Sequence, residues 1–266
     1  WKISQILFNK QTKKAAPEVG ERHYDLGNDL FCAMLDQRRV YTCGYWPQAK
    51  TLDEAQEAKL DLVCRKLRLQ PGQTVLDIGC GWGSFAKFAA EKYQVNVVGV
   101  TISKEQVELG NKACTALPVE IQFKDYRDVT GEFDHIVSLG MFEHVGVKNY
   151  QTYFQVVADH LKPGGLFCLQ TIGVNTSFTS NDPWFGRYIF PNYMLPSPTQ
   201  ISQAIEKLFV IEDWHSFGND YNKTLMAWYR NFEANWEMLR PTYGDRFYRM
   251  WKYYLLACAG SFRARK

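Results

Sequence analysis

No Cys-x-x-Cys pair occurs anywhere in the 266 residues. The seven cysteines (Cys32, Cys43, Cys64, Cys80, Cys114, Cys168, Cys258) are an odd number with wide gaps. That argues against a disulfide framework and a thiolate metal site, and for a reducing compartment. The five histidines are scattered, so no metal site is expected. No stretch approaches the roughly 18 apolar residues of a membrane-spanning helix. No signal peptide opens the chain, which also lacks an initiator methionine and starts at Trp1, so a fragment of a longer protein is expected. The charge excess is small: 31 basic against 28 acidic residues leave +3, too little to demand nucleic acid.

What is present is enough apolar material for a large core. Hydrophobic residues make up 46% and charged residues 22%, which excludes disorder. Basic clusters lie near the two ends (Lys10, Lys13, Lys14; Arg263, Arg265, Lys266). They read either as solvated termini or as contacts to an anionic membrane surface.

Residues 1–20 read as a linker. A helix is predicted over 52–68, where Leu52, Ala55, Leu60, Val63, Cys64 and Leu67 recur at helical spacing before Pro71-Gly72. Strands are predicted at Thr74–Ile78, Val95–Val100, Val119–Phe123, Phe133–Leu139 and Leu166–Ile172. Helices are predicted at Ser84–Lys92, Lys104–Ala116 and Asn149–Leu161, with a turn at Pro163-Gly164-Gly165. This alternation predicts an α/β fold with a doubly wound, mostly parallel sheet. From about 173 the rhythm breaks into an irregular, aromatic-rich loop that runs to Pro198. Two amphipathic helices follow, one with the stripe Leu225, Trp228, Tyr229, Phe232, Trp236 and one with Phe247, Met250, Trp251, Tyr254, Leu255, Cys258. They read as helices packed on the core, or as a lid whose aromatic face lines a tunnel for an apolar substrate. The expected organisation is a linker at 1–20 and one domain at 21–266, with its core at about 52–172 and a helical lid at about 173–266.

In Val75-Leu-Asp-Ile-Gly-Cys-Gly-Trp-Gly83 three glycines alternate where a strand becomes a helix. Glycine lets the backbone turn sharply and approach a ligand closely. A dinucleotide turn would read GxGxxG and would be followed by a carboxylate at the end of the second strand to hold the ribose. Here the spacing is GxGxG, and the second strand ends in Val100-Thr101-Ile102-Ser103 without a carboxylate. Asp77 inside the motif suits the ammonium of a methionine moiety better than a diphosphate. Thr101 and Gln106 can bond a ribose, and Asp125 follows the third strand. The combination favours S-adenosylmethionine over a nicotinamide cofactor.

Further motifs accompany the loop: His23-Tyr-Asp-Leu-Gly-Asn-Asp29, Tyr41-Thr-Cys-Gly-Tyr-Trp46, Gly99-Val-Thr-Ile-Ser103, Met141-Phe-Glu-His-Val-Gly146, Tyr188-Ile-Phe-Pro-Asn192 and Thr224-Leu-Met-Ala-Trp-Tyr229. With them the chain resembles the cyclopropane-fatty-acyl-phospholipid synthases and the related mycolic acid cyclopropane synthases and methyltransferases. The resemblance implies a Rossmann-like S-adenosylmethionine-dependent methyltransferase with a helical lid. It implies methyl transfer to the cis double bond of an unsaturated phospholipid acyl chain, followed by proton loss and ring closure, with bicarbonate as general base. It carries the anion site onto Cys43, Glu143, Ile172 and Tyr221. Where the family has His, this chain has Gln170, which can still hydrogen-bond an anion but carries no proton at neutral pH. As cofactor contacts the resemblance and the loop together nominate Tyr41, Thr42, Asp77, Gly79, Gly81, Trp82, Gly83, Thr101, Gln106, Asp125 and Tyr126. His144 reads as structural and Arg127 as a weak candidate.

The implied partner is unsaturated phospholipid in the membrane, reached from the cytoplasm by peripheral association with the inner face; whether the chain forms a homodimer stays open. Family members usually continue past Phe262-Arg-Ala-Arg265 with an apolar segment that adds a strand. Alternatives are a lipid C-methyltransferase giving a branched or methylene product, a small-molecule N-methyltransferase, and a non-catalytic relic disabled at Gln170.

Overall fold

The structure is a computed structural model and describes residues 11–12 and 27–265. The predicted linker falls almost wholly outside these residues, as do the first part of the His23–Asp29 motif, the lysines 10, 13 and 14, and Lys266. The chain divides into two compact units. Among the described residues, one comprises 11–12 and Val63–Glu212, the other 27–62 and 213–265.

The first unit is built on a five-stranded sheet: β1 (Thr74–Ile78), β2 (Asn96–Thr101), β3 (Val119–Phe123), β4 (Phe133–Leu139) and β5 (Leu161–Gln170). The order is β3-β2-β1-β4-β5, and every pairing is parallel. Because helices cover a parallel sheet on both faces, its central strand is buried and mostly apolar; in β1, Val75, Leu76 and Ile78 are all fully buried, and Asp77 between them is the one buried carboxylate of the strand. The connecting helices α3 (Ser84–Tyr93), α4 (Lys104–Ala113) and α5 (Tyr150–His160) match the predicted positions. The chain reverses its direction of strand addition at β1, so a crevice opens between the carboxyl ends of β1 and β4, where such sheets bind ligands.

Several expectations are corrected. Pro163-Gly164-Gly165 is not a turn ahead of the last strand but lies within β5. The register against β4 shifts there, from Phe133↔Leu161 to His135↔Leu166, and Gly164 takes φ 78°. An interrupted ladder leaves a donor without its usual carbonyl; the Leu166 N–H goes instead to His135 Nδ1 at 3.1 Å. Strand β5 also ends at Gln170, so Ile172 lies beyond it.

The proline-containing stretch after 173 contains two helices, α6 (Pro183–Tyr188) and α7 (Pro198–Ile205). Each proline occupies a first-turn position, where its missing N–H costs nothing, behind an Asp182 or Ser197 cap. Residues 173–212 group with the sheet.

The second unit contains α1 (Asn28–Met34), the first part of α2 (Leu52–Lys66), α8 (Gly218–Ala234) and α9 (Trp236–Arg263). Its core includes part of each predicted stripe: Leu225, Trp228, Phe232, Trp251 and Leu255 are almost fully buried, while Tyr229, Phe247, Met250 and Cys258 are half-buried. Helix α9 breaks at Gly244 (φ 71°, ψ 164°), three residues after Pro241. Among the described residues no helix is long and apolar enough to cross a membrane.

Candidate active site

At the end of β1 the chain turns through Gly79, Gly81 and Gly83, all left-handed (φ 77°, 56° and 78°). A Cβ on Gly79 would lie 2.5 Å from Met141 Cβ, so the glycine lets the β4 end approach the loop. Gly81 is different: a Cβ there would meet nothing within 4 Å. Its backbone takes a conformation that glycine adopts freely and other residues do not, beside open space, as expected where a ligand comes close. The loop is fixed from behind by the Gly79 and Cys80 N–H groups, which both donate to Val100 O (2.9 and 3.1 Å). Asp77 is a buried carboxylate in the strand just before it, opposite Gly99 on one side and Val137 on the other, and Trp82 is buried. Buried negative charge beside a left-handed glycine turn fits the ammonium and sulfonium of S-adenosylmethionine better than a diphosphate. Asp77, Gly79, Gly81, Trp82 and Gly83 thus lie together at the carboxyl end of β1.

Thr101 and Gln106 come together at the β2 end but bond one another, Thr101 Oγ1 to Gln106 Oε1 at 2.6 Å. Asp125 caps the short turn Tyr126–Asp128 and holds Arg127 in a two-pronged pair, with Nε and Nη2 each 2.7 Å from a carboxylate oxygen. Tyr126 packs edge-on against Tyr153 (5.2 Å between centroids), and burial lifts its hydroxyl to about 12.

Across the crevice, Phe142 is fully buried and stacks on Tyr150 at 4.3 Å, which anchors the turn Phe142–His144 and so aims Glu143. Glu143 Oε1 accepts the Ile172 N–H at 2.8 Å, and Glu143 O accepts the Met194 N–H at 2.7 Å. Glu143 Oε2 is buried with no hydrogen-bond partner among the described residues. Burial raises the carboxyl above its ordinary value, and the Ile172 N–H pulls it part of the way back. Gln170 ends β5 beside Leu139, and its carbonyl accepts the Gly140 N–H at 2.9 Å. Glu143, Gln170 and Ile172 are therefore brought together within the first unit. His144 is half-buried with its ring near Phe190, and loss of solvent around the ring lowers it to about 4.

The other predicted residues belong to the second unit, in the segment Tyr41–Trp46 and on α8. Tyr41 pairs its hydroxyl with that of Tyr254 (2.8 Å), and its ring lies 5.0 Å from Trp228. Cys43 is buried, and burial pushes its thiol up to about 12. That disfavours thiolate chemistry and leaves its backbone and a neutral S–H to act. Tyr221 packs against Phe262 (4.6 Å) and Trp228 (5.8 Å).

Two supports of this segment escaped the sequence reading. The first is on α2: Gln56 Nε2 donates to Thr42 O (2.8 Å), and Lys59 Nζ donates to Thr42 Oγ1 (2.7 Å). Both side chains are fully buried, and they share one helical face with Leu52, Ala55, Leu60 and Val63. Two polar residues on an otherwise apolar face were the available signal. The second is on α8, where fully buried Thr224 accepts the Gly44 N–H (3.1 Å) and the Trp46 indole N–H (2.9 Å) and donates to Asp220 O (3.0 Å). Asp220 Oδ2 accepts the Trp46 backbone N–H at 2.8 Å.

Comparison with known proteins identifies the family. The family model for mycolic acid cyclopropane synthetase matches residues 10–266. The chain is 57% identical over 259 residues to the cyclopropane-fatty-acyl-phospholipid synthase of Escherichia coli strain K12, covering 97% of this chain and 68% of that protein. The cyclopropane synthase MmaA2 from Mycobacterium tuberculosis superposes with a TM-score of 0.87 at 31% identity, over 93% of both chains. The mycolic acid cyclopropane synthase CmaA1, solved with SAH and CTAB, gives 0.86 at 32% identity with the same coverage. The chain belongs to the mycolic acid cyclopropane synthetase family and is an S-adenosylmethionine-dependent methyltransferase.

Proposed function

We propose that this methyltransferase acts on the cis double bond of an unsaturated phospholipid acyl chain and closes a cyclopropane ring, with bicarbonate as the base. The name of the Escherichia coli relative supports the acceptor. The observation that carries the anion is Glu143 Oε2, a buried carboxylate oxygen without a partner among the described residues, two residues from the Met141 that packs on the glycine loop.

S-adenosylmethionine supplies an already activated methyl group. An alkene is a weak nucleophile, so the protein's task is alignment and exclusion of water. Asp77 and the loop Gly79–Gly83 bind and orient the donor, with Tyr41, Thr42, Thr101, Gln106, Asp125 and Tyr126 completing its surroundings. Bicarbonate supplies the base. Glu143, whose carboxyl keeps its proton further up the pH scale than usual, would hold the anion by a hydrogen bond from its Oε2 hydroxyl, retaining the proton, while Oε1 stays on the Ile172 N–H. Cys43, Gln170, Ile172 and Tyr221 provide the remaining contacts. The enzyme works from the cytoplasm as a peripheral membrane protein.

Incubation with labelled S-adenosylmethionine and cis-monounsaturated phospholipid gives labelled lipid heavier by one methylene. No label in lipid, or amines displacing lipid as acceptor, overturns the proposal. Activity falls in carbonate-depleted buffer and returns on adding bicarbonate. A second reading, a branched or methylene product, is favoured by Gln170, which takes no proton. NMR of the product separates ring from branch. Gln170→His leaves turnover unchanged if Gln already serves the anion, and raises it sharply if the chain is impaired at that position.

A further inference from the structure

We propose that the outer face of α9 after its break is a docking surface for an anionic phospholipid bilayer. From Asp245 to Arg265 the sequence holds five basic residues and one acidic one, a net +4, whereas the whole chain carries only +3. The remaining 245 residues therefore sum to a slight negative charge, and the basic excess is concentrated here. Asp245, the single acid, is taken up by Arg240 at 3.1 Å.

The charge is also arranged. Arg246, Arg249, Tyr253, Leu256 and Arg263 follow one another at three, four, three and seven residues, which keeps them on one side of a helix. All five are exposed, Tyr253 by 56% and Leu256 by 36%. Trp251, Leu255 and Ala259 face the other way and are buried. Among the described residues, none of the three arginines is ion-paired. From Asp245 to Arg263 the helix is about 28 Å long, so the stripe runs for most of that length. Between arginines that are not ion-paired among the described residues, the helix exposes a tyrosine ring and a leucine. They match an interface in which guanidinium groups meet lipid phosphates and the apolar pair enters the headgroup region. Charge complementarity selects an anionic surface over a zwitterionic one.

This rests on the lipid acceptor proposed above, so the test separates binding from chemistry. The full chain is sedimented with vesicles of saturated phosphatidylglycerol and phosphatidylcholine, or of phosphatidylcholine alone, none of which offers a double bond. Methyl transfer to detergent-dispersed unsaturated lipid is measured in parallel. The wild type binds the anionic vesicles and not the zwitterionic ones. The variant R246Q/R249Q/R263Q loses roughly 100-fold in vesicle affinity and keeps its turnover on dispersed lipid. K112Q/K148Q/K207Q, with the same charge removed elsewhere, binds as the wild type does. Equal loss in both variants, undiminished binding by the arginine variant, or displacement from vesicles by equimolar single-stranded RNA overturns the inference. Vesicle binding as stated without any lipid methylation would leave the docking surface standing and remove the proposed acceptor.

Discussion

At the scale of single residues, Gly81 and Glu143 do different work on the two sides of the crevice. Gly81 has room for a side chain and a backbone that disfavours one. Gly81→Ala therefore costs the fold only about 1–2 kcal/mol, from the left-handed conformation. It also weakens cofactor binding by a comparable amount, if the proposed donor lies against this loop as the open space beside Gly81 suggests. Calorimetry is expected to show a small drop in midpoint, and titration with S-adenosylhomocysteine a loss of roughly tenfold or more in affinity.

Glu143 is the reverse case. Its folded-state pKa lies above the ordinary 4.5, so its favourable contribution is whole below that value and is lost as pH rises through the raised pKa. Glu143→Gln is expected to unfold at a higher temperature than the wild type at pH 8, with the advantage vanishing below about pH 4.5. Its turnover falls by about 100-fold or more.

At the scale of elements, the segment Tyr41–Trp46 has no regular structure of its own and owes its shape to neighbours. Thr224 is the main support on the α8 side. Thr224→Val keeps the volume and strands two buried N–H donors, and a loss of about 2–4 kcal/mol in urea unfolding is expected. Thr224→Ser keeps the hydroxyl and recovers most of it. If the two variants are equally stable, the hydroxyl does not hold the segment.

The same scale shows what could be read in advance. β1, β3 and β4 begin and end where runs between turn residues placed them; in β1 and β4 burial on both faces writes the limits into the sequence, while the edge strand β3 is bounded by its flanking turn residues alone. Helices α6 and α7 were hidden because proline, read as a breaker, occupied the one helical position that tolerates it. The bulge in β5 was hidden because Pro-Gly-Gly signals a turn locally and only the ladder with β4 keeps it in the sheet. The glycine loop was legible for the same local reason as the strands. Lys59, Gln56 and Thr224 were not, since their partners lie up to 180 residues away and no local pattern reports a distant hydrogen bond.

At the scale of the whole molecule, ligand binding and folding are linked. A donor site formed only in the folded chain means that S-adenosylhomocysteine at about 100 times its dissociation constant adds about 2.7 kcal/mol. For a chain of this size that raises the melting midpoint by roughly 5–10 °C. A midpoint that does not move with ligand concentration would contradict a preformed site.

Acidity acts on the whole as well, through the imidazole that stands where β5 lacks a carbonyl. By taking the Leu166 N–H on Nδ1, His135 is fixed as the neutral tautomer with its proton on Nε2. Burial holds its pKa below the ordinary 6.5. That contribution is complete above 6.5 and disappears as pH falls through the lowered value, because an imidazolium would set one N–H against another. A borrowed side chain thus closes a gap that a peptide group would close at any pH, and the outer edge of the sheet acquires an acid limit that the rest of its ladder does not share.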